Sequence, residues 1–230
     1  MIEKEFIEEL EKINVVPTEK QLQQLEIFYK LLVEWNEKIN LTSILEKKDV
    51  YLKHFYDSLT LVKAIDLKQD VSICDVGTGA GFPGIVLKII FPNIKIILID
   101  SLNKRINYLN EVIKKLDLKD IEAFHYRMED YSKLNEEKFD YIVSRAVSNI
   151  NVITEISIRA LKVNGSIILM KANAKEELNS TGNNLKKLNA KINNVIEFKL
   201  PIEESNRTLI EITKVDKTPN MYPRRFDKIK

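Results

Sequence analysis

Cysteine is almost missing from this chain. Cys74 stands alone among 230 residues, which excludes a disulfide framework and a zinc site built on thiolates. Histidine occurs twice, at His54 and His125, and neither has the neighbours a metal site needs, so no metal is expected. No apolar run reaches the roughly 18 residues of a membrane span. The opening Met1-Ile2-Glu3-Lys4-Glu5-Phe6 is acidic and amphipathic, not a basic stretch followed by an apolar one, so it does not read as a signal peptide. A cytoplasmic protein without membrane attachment is expected. Arginine is scarce: the 36 basic residues include only seven, at positions 105, 127, 145, 159, 207, 224 and 225. With 34 acidic residues the net charge is +2, which argues against blanket coating of nucleic acid but leaves room for a local basic patch.

Glycine is the most informative shortage. There are six, and four of them (77, 79, 81 and 84) fall within eight residues. A chain that otherwise avoids glycine has concentrated it in one loop, where backbone must turn tightly or approach a ligand. Elsewhere the composition is that of an ordinary soluble protein, 44% apolar and 30% charged, with enough apolar material for a core.

Residues 1–66 read as a helical extension. Phe6, Ile7, Leu10 and Ile13 recur at helical spacing; Thr18 can cap a second helix carrying Leu22, Leu25, Phe28, Leu32 and Trp35. Asn36 to Thr42 looks like a break, and a third helical segment, Asp49 to Ile65, follows. Residues 67–215 alternate short β-rich runs (71–75, 94–100, 121–125, 139–144, 166–171) with helices near 83–91, 103–116 and 152–161. Runs such as Ile96-Ile97-Leu98-Ile99 suit strands buried on both faces. The alternation predicts an α/β, Rossmann-like, mostly parallel sheet. A polar helix over 174–191 and a final antiparallel hairpin (194–200 and 207–215) complete this part, and 216–230 is a basic tail. There is no internal repeat.

The sequence Asp75-Val76-Gly77-Thr78-Gly79-Ala80-Gly81-Phe82-Pro83-Gly84 is a strand end, a glycine loop and a helix start. The next strand ends in Asp100, which the fold brings beside the loop, where a carboxylate can accept hydrogen bonds from both hydroxyls of a ribose. Two ligands fit. Gly79, Gly81 and Gly84 satisfy the dinucleotide fingerprint, a weak match alone. The fuller pattern, an acid followed by glycines at every second position, resembles the first motif of S-adenosylmethionine-dependent methyltransferases. Met128 and Glu129 follow the third strand, where an adenine would lie. Arg145 ends the fourth, beside the reacting centre, where a guanidinium can fix a base or phosphate through its fork of donors.

The motifs Trp35-Asn36-x-x-x-Asn40-Leu41-Thr42, His54-x-x-Asp57-Ser58-Leu59, Asp75–Gly84, Asp100-Ser101-x-x-Lys104-Arg105, Ser144-Arg145-Ala146 and Tyr222-Pro223-Arg224-Arg225 occur in that order. Together they resemble the bacterial ribosomal RNA small subunit methyltransferase G family, also called glucose-inhibited division protein B, over nearly the whole chain. The resemblance implies a class I methyltransferase fold and transfer of a methyl group from S-adenosylmethionine to N7 of one guanine in the decoding-region loop of 16S ribosomal RNA. It places cofactor contacts on Gly77, Phe82, Met128, Glu129 and Arg145, to which the loop reading adds Gly79, Gly81 and Asp100. Arg145 is the residue expected at the reacting centre. After the Pro-Arg-Arg run the family often continues with a Gly-x-Pro-x-Lys-x-Pro ending, where this chain reads Phe226-Asp227-Lys228-Ile229-Lys230.

The residues agree with that chemistry. Guanine N7 carries an in-plane lone pair and no proton, so its methylation needs alignment rather than a general base. The Asp/Asn-Pro-Pro-aromatic motif of amine methylation is replaced here by Ser-Arg-Ala-Val, and Cys74 sits inside a strand, not placed to attack a pyrimidine. His54, Asp57 and Ser58 share a helix face but lack the separate elements of a hydrolytic triad, so a structural or substrate-lining face is expected. His125 is expected to cap the third strand. RNA contacts are expected from His54, Asp57, Lys104, Arg105, Lys171, Arg207, Arg224 and Arg225. The RNA, or a small-subunit particle, is the expected partner and a monomer the expected state. The competing readings are a nicotinamide-dependent oxidoreductase using the same loop and a non-catalytic ribosome-assembly factor.

Overall fold

The structure, a computed structural model, describes residues 1–229. Two helices lead, α1 (Glu3–Lys12) and α2 (Glu19–Ile39). Thr18 starts α2 through a reciprocal cap: its hydroxyl accepts from the Gln21 amide, and the Gln21 side chain accepts from the Thr18 amide at 2.8 Å. The break expected over Asn36 to Thr42 begins at Asn40, not at Asn36. The helix continues to Ile39 because Asn36 reaches forward from inside it. Its Oδ1 accepts from the amides of Leu41 (2.6 Å) and Thr42 (2.8 Å), while Asn40 turns the chain in a left-handed conformation, φ 48°.

The third helical stretch is irregular. It runs through α3 (Lys47–Val50), a π-helical segment (Tyr51–Tyr56), α4 (Asp57–Leu59) and a 3-10 turn (Thr60–Lys63). The wider π turn shifts the phase of the side chains, a device frequent at functional sites.

The rest is one seven-stranded sheet. Its strands are β1 (Ser72–Val76), β2 (Lys95–Asp100), β3 (Ile121–His125), β4 (Phe139–Arg145), β5 (Leu161–Lys171), β6 (Ala190–Lys199) and β7 (Asn206–Lys214). The order is β3-β2-β1-β4-β5-β7-β6, with β1 to β5 parallel and β7 antiparallel to both β5 and β6. The hairpin thus folds back so that its second strand, not its first, joins the sheet. Helices α5 (Gly84–Ile90), α6 (Asn103–Lys115), α7 (Met128–Leu134), α8 (Ile150–Ser157) and α9 (Lys175–Lys187) cover the two faces. The short, polar α7 has no counterpart among the helices expected from the sequence.

Strand side chains alternate between two cores. Ile73, Leu98 and Ile168 point into one with α5, α6 and the N-terminal helices; Cys74, Ile99 and Leu169 point into the other with α7, α8 and α9. Phe6, Leu25, Phe28 and Phe55 are fully buried in the first core, so the N-terminal helices pack as a further layer on that face. The strand order reverses between β1 and β4, and the crevice outside the carboxyl ends of such strands is where ligands bind in open α/β sheets.

Candidate active site

A cleft of about 630 Å³ occupies that crevice. One wall is the loop after β1. Asp75 is completely buried and organises it: Oδ2 accepts from the Thr78 hydroxyl (2.7 Å) and the Gly84 amide (2.8 Å), while Oδ1 has no partner among the described residues. Burial raises its pKa to about 6, against the pull of those two donors. The bond to Gly84 uses the first amide of α5. A dinucleotide pyrophosphate would need that helix start as its seat, and here a buried carboxylate already holds it. The loop therefore does not suit the nicotinamide reading.

Gly77 and Gly79 both lie in the left-handed region, φ 68° and 59°. A Cβ on Gly77 would come within 2.5 Å of the Val147 side chain, whereas one on Gly79 would meet nothing closer than 3.9 Å. Gly79 leaves space on the cleft side, a cradle for a ligand; Gly77 brings the loop against the segment after β4. Gly81 packs on Ile85 and Leu109, and it does not line the cleft.

Asp100, at the end of β2, lines the cleft although only 2% exposed. Its Oδ2 accepts from the Gly79 amide (3.0 Å) and Arg105 (3.1 Å), and Oδ1 accepts from the Leu102 amide (2.9 Å). It joins the glycine loop to the start of α6 and keeps acceptor capacity for a ribose. Glycine loop, cradle and carboxylate fit the nucleoside and methionine parts of S-adenosylmethionine.

The opposite wall comes from three distant segments. Arg145, at the end of β4, donates Nη1 to Asp57 Oδ2 and to the Lys53 carbonyl, each at 3.1 Å, and its Nη2 lies 3.3 Å from His54 Nδ1. Arg207, at the start of β7, donates Nε to Asp57 Oδ1 at 2.9 Å. Asp57 is thus shared by two guanidiniums, 88 and 150 residues away in sequence. Burial pulls the basicity of Arg145 down, and Asp57 opposes that pull. His54 stacks on Phe82, ring centroids 4.4 Å apart, and its Nε2 faces the Thr42 hydroxyl at 3.0 Å. Burial, and then the Arg145 charge, depress the His54 pKa to about 3, so its ring is neutral at working pH. The Arg145 guanidinium also lies 5.1 Å from the Phe82 centroid. Phe82 packs in turn on Phe28, tying this wall to α2. Ser58 turns away: its hydroxyl donates to the His54 carbonyl at 2.6 Å inside the helix and is no nucleophile.

The remaining sequence candidates scatter. Lys171 lines the cleft with its ammonium held by Glu177 (3.0 Å to each oxygen) and the Ser148 carbonyl. Met128 and Glu129, buried in α7, lie outside the cleft lining; Glu129 borders a separate depression that includes Arg225. Lys104 is exposed on α6. Arg224 grips buried Glu155 with Nε (2.8 Å), Nη2 (2.7 Å) and its own amide (3.0 Å), while Arg225 is exposed beside Asp227. His125 Nε2 lies 3.0 Å from the Ser101 carbonyl as β3 ends. Sequence reasoning did not single out Thr42 as a site residue, although it closes the Asn-Leu-Thr run, nor Lys53, Ala146 and Val147. Ala146, at φ 55°, turns the chain into the cleft rim with no glycine to signal it. Among the described residues no cluster of metal-ligating side chains occurs, and no helix is long and apolar enough to cross a membrane.

This geometry is that of a Rossmann-like S-adenosylmethionine-dependent methyltransferase fold. A solved methyltransferase of that class from Aquifex aeolicus superposes with a TM-score of 0.55 at 21% identity, covering 74% of this chain and 94% of that one. The chain belongs to the rRNA small subunit methyltransferase G family, whose profile matches residues 21–209. Relatives named ribosomal RNA small subunit methyltransferase G from Bacillus cereus and Bacillus subtilis are 45% and 44% identical over 224 residues, 96% of this chain and 94% of each relative.

Proposed function

We propose that this protein transfers the methyl group of S-adenosylmethionine to N7 of one guanine in the decoding-region loop of 16S ribosomal RNA, acting as a cytoplasmic monomer on the RNA or on a small-subunit particle. Residues 67–215 form the S-adenosylmethionine-binding methyltransferase domain, with 1–66 as its helical extension and 216–230 as a basic tail. The carrying observation is that the acceptor wall offers no free proton acceptor. His54, its pKa pushed down to about 3, is too weak a base to take a proton and has its ring nitrogens against Thr42 and Arg145; both oxygens of Asp57 accept from arginines, and Arg145 is a cation. A base-free wall suits an acceptor that has no proton to lose.

Gly77, Gly79, Phe82 and Asp100 would hold the cofactor, with Asp100 on the ribose. Met128 and Glu129 lie outside the cleft lining, so a contact of theirs with the adenine is supported by the family resemblance alone, and Gly81 supports the loop. When bound, the cofactor supplies an electrophilic methyl on a sulfonium. Arg145 orients the acceptor, fixed by Asp57 and by the aromatic face of Phe82. An A-form major groove hides N7 from protein groups, so the acceptor is an unpaired or unstacked base. The names of the relatives support ribosomal RNA as substrate. The test is methyl transfer from S-adenosylmethionine to small-subunit RNA lacking this modification, with borohydride–aniline cleavage mapping any 7-methylguanosine. A single cleavage site is expected. Methylation without such cleavage overturns the N7 assignment, and no transfer leaves a non-catalytic assembly factor.

A further inference from the structure

A second depression of about 340 Å³ adjoins the cleft at the carboxyl edge of the sheet, and Ala172 and Arg207 line both. Its other walls come from the start of α9, the end of β6 and the start of β7. Lys175, Phe198, Lys199 and Asn206 face it, together with one acidic side chain, Glu197.

The groove has fixed walls. Asn173 Oδ1 accepts from the Lys175 amide at 3.1 Å, and the Lys171–Glu177 pair pins the first turn of α9, so Lys175 stands on a set base. Phe198 is half-buried against the core beside β7, with the Lys63 ammonium 5.3 Å from its centroid. Arg207 is clamped at Nε by Asp57 and at Nη1 by the Asn206 carbonyl, which leaves Nη2 for a ligand.

Charge points to the occupant. One carboxylate, Asp57, serves both Arg145 and Arg207, so this corner keeps an excess positive charge. Lys175 is exposed and forms no ion pair among the described residues. Among the described residues Lys199 is paired only with exposed Glu204, an interaction worth little in water. A basic channel with an apolar wall, opening from a catalytic cleft, is what proteins use to track an unpaired strand.

We propose that the RNA strand flanking the acceptor base leaves the cleft over Arg207 and runs along this groove. One backbone phosphate lies on Arg207 and the next on Lys175 and Lys199. The inference rests on the methyltransferase reading and adds the path of its substrate.

The test uses the full chain, a short unpaired RNA carrying the acceptor-loop sequence, the same sequence as a duplex, and intact small-subunit particles. Lys175→Ala and Lys199→Ala change exposed side chains and spare the fold. Together they are expected to weaken binding of the unpaired RNA about tenfold at moderate salt. They are also expected to reduce the salt slope by about 0.7 for each phosphate no longer neutralised. Affinity for S-adenosylmethionine stays at the wild-type value. A photo-crosslinking residue at position 198 is expected to label nucleotides adjacent to the acceptor. Unchanged binding and slope in the double variant, beside normal wild-type turnover, overturn the path alone. Loss of particle binding with unchanged RNA binding, or a crosslink to protein, puts a ribosomal protein in the groove and overturns the RNA assignment. Absence of wild-type methyl transfer defeats the functional reading itself.

Discussion

The two walls of the cleft are built on different principles. The wall proposed for the cofactor is local: Asp75, the glycine loop and Asp100 lie within 26 residues and are positioned by one β-loop-α-β unit and its own backbone amides. The wall proposed for the acceptor is assembled over long range, from the π-helical segment near His54, the end of β4 and the start of β7, and it converges on one carboxylate. A local wall survives perturbation elsewhere in the molecule. The long-range wall exists only while the N-terminal helices, the sheet and the hairpin are all in register. Cofactor binding and RNA methylation should therefore be separable by mutation.

The largest separation is expected from Asp57→Asn set against Asp100→Ala. Removing the shared charge leaves Arg145 and Arg207 facing an amide, and breaking a buried ion pair from one side costs about 3–5 kcal/mol. Asp57→Asn should lower stability in urea by that order and reduce turnover at least a hundredfold, while the remaining folded protein binds S-adenosylmethionine within about threefold of wild type. Asp100→Ala should fall on the cofactor instead, weakening its affinity by about 1–3 kcal/mol because the ribose has no acceptor, with some loss of stability as well because Arg105 and the Gly79 and Leu102 amides lose their partner. Titration calorimetry and denaturation on both variants decide. Equal loss of cofactor affinity in the two would erase the distinction between the walls.

Within the local wall, the glycines are not equivalent. In Gly77→Val the new side chain is forced against Val147 in a left-handed conformation, so cofactor binding and several kcal/mol of stability should go together. Gly79→Ala meets open space and carries mainly the conformational cost, about 1–2 kcal/mol. It should stay folded and lose affinity. Melting curves recorded beside calorimetry would show whether the two positions differ.

The same division governs what is legible in the sequence. The glycine loop, Asp100 and the parallel strands are readable because each is a short-range pattern. So is α2, down to its Thr18 cap. Asn36 suggests a break because an Asn inside a helix looks the same in sequence whether it ends the helix or reaches forward to cap it. Helix α7 escapes because seven mostly polar residues carry no periodicity. Arg145, His54, Asp57 and Arg207 each stand out as candidates. That one carboxylate binds two of them depends on a hairpin strand crossing back beside β5, which no spacing encodes. Arg224 teaches the same: its Pro-Arg-Arg run suggests RNA contact, and its guanidinium is spent on Glu155 in α8.

That observation separates two neighbours. Arg224→Ala strips the partner from a buried carboxylate and should cost about 2 kcal/mol, which for a chain of this size is a fall of roughly 4–8 °C in Tm. The salt dependence of RNA binding should not change. Arg225→Ala, at an exposed site, should leave Tm unaltered and reduce the salt slope by about 0.7. A fall in slope with Arg224→Ala would mean that the Glu155 pair opens to the RNA.

The smallest effects are expected from pH, and their signs differ between the walls. His54 in the folded protein has a pKa near 3, below the unfolded value near 6.5, so the unfolded chain binds the proton more readily. Its neutral form favours folding above pH 6.5, and that advantage is lost as pH falls towards 3. Asp75, with its pKa raised to about 6, acts oppositely: the folded protein keeps this proton better, and the gain fades as pH rises from about 4 to about 6. Total stability in that range mixes the two, and His54→Gln isolates one. Between pH 7.5 and 5.5 the stability of wild type relative to His54→Gln should fall by about 1.4 kcal/mol, since one pH unit below the unfolded pKa is worth that much. A constant difference would mean that the imidazole titrates freely and that water enters the acceptor wall. Above pH 7 neither group changes charge, so single-turnover methylation should be flat from pH 7 to 9. A rise across that interval would require a base that this wall does not hold, and the acceptor would then be a group with a proton to lose.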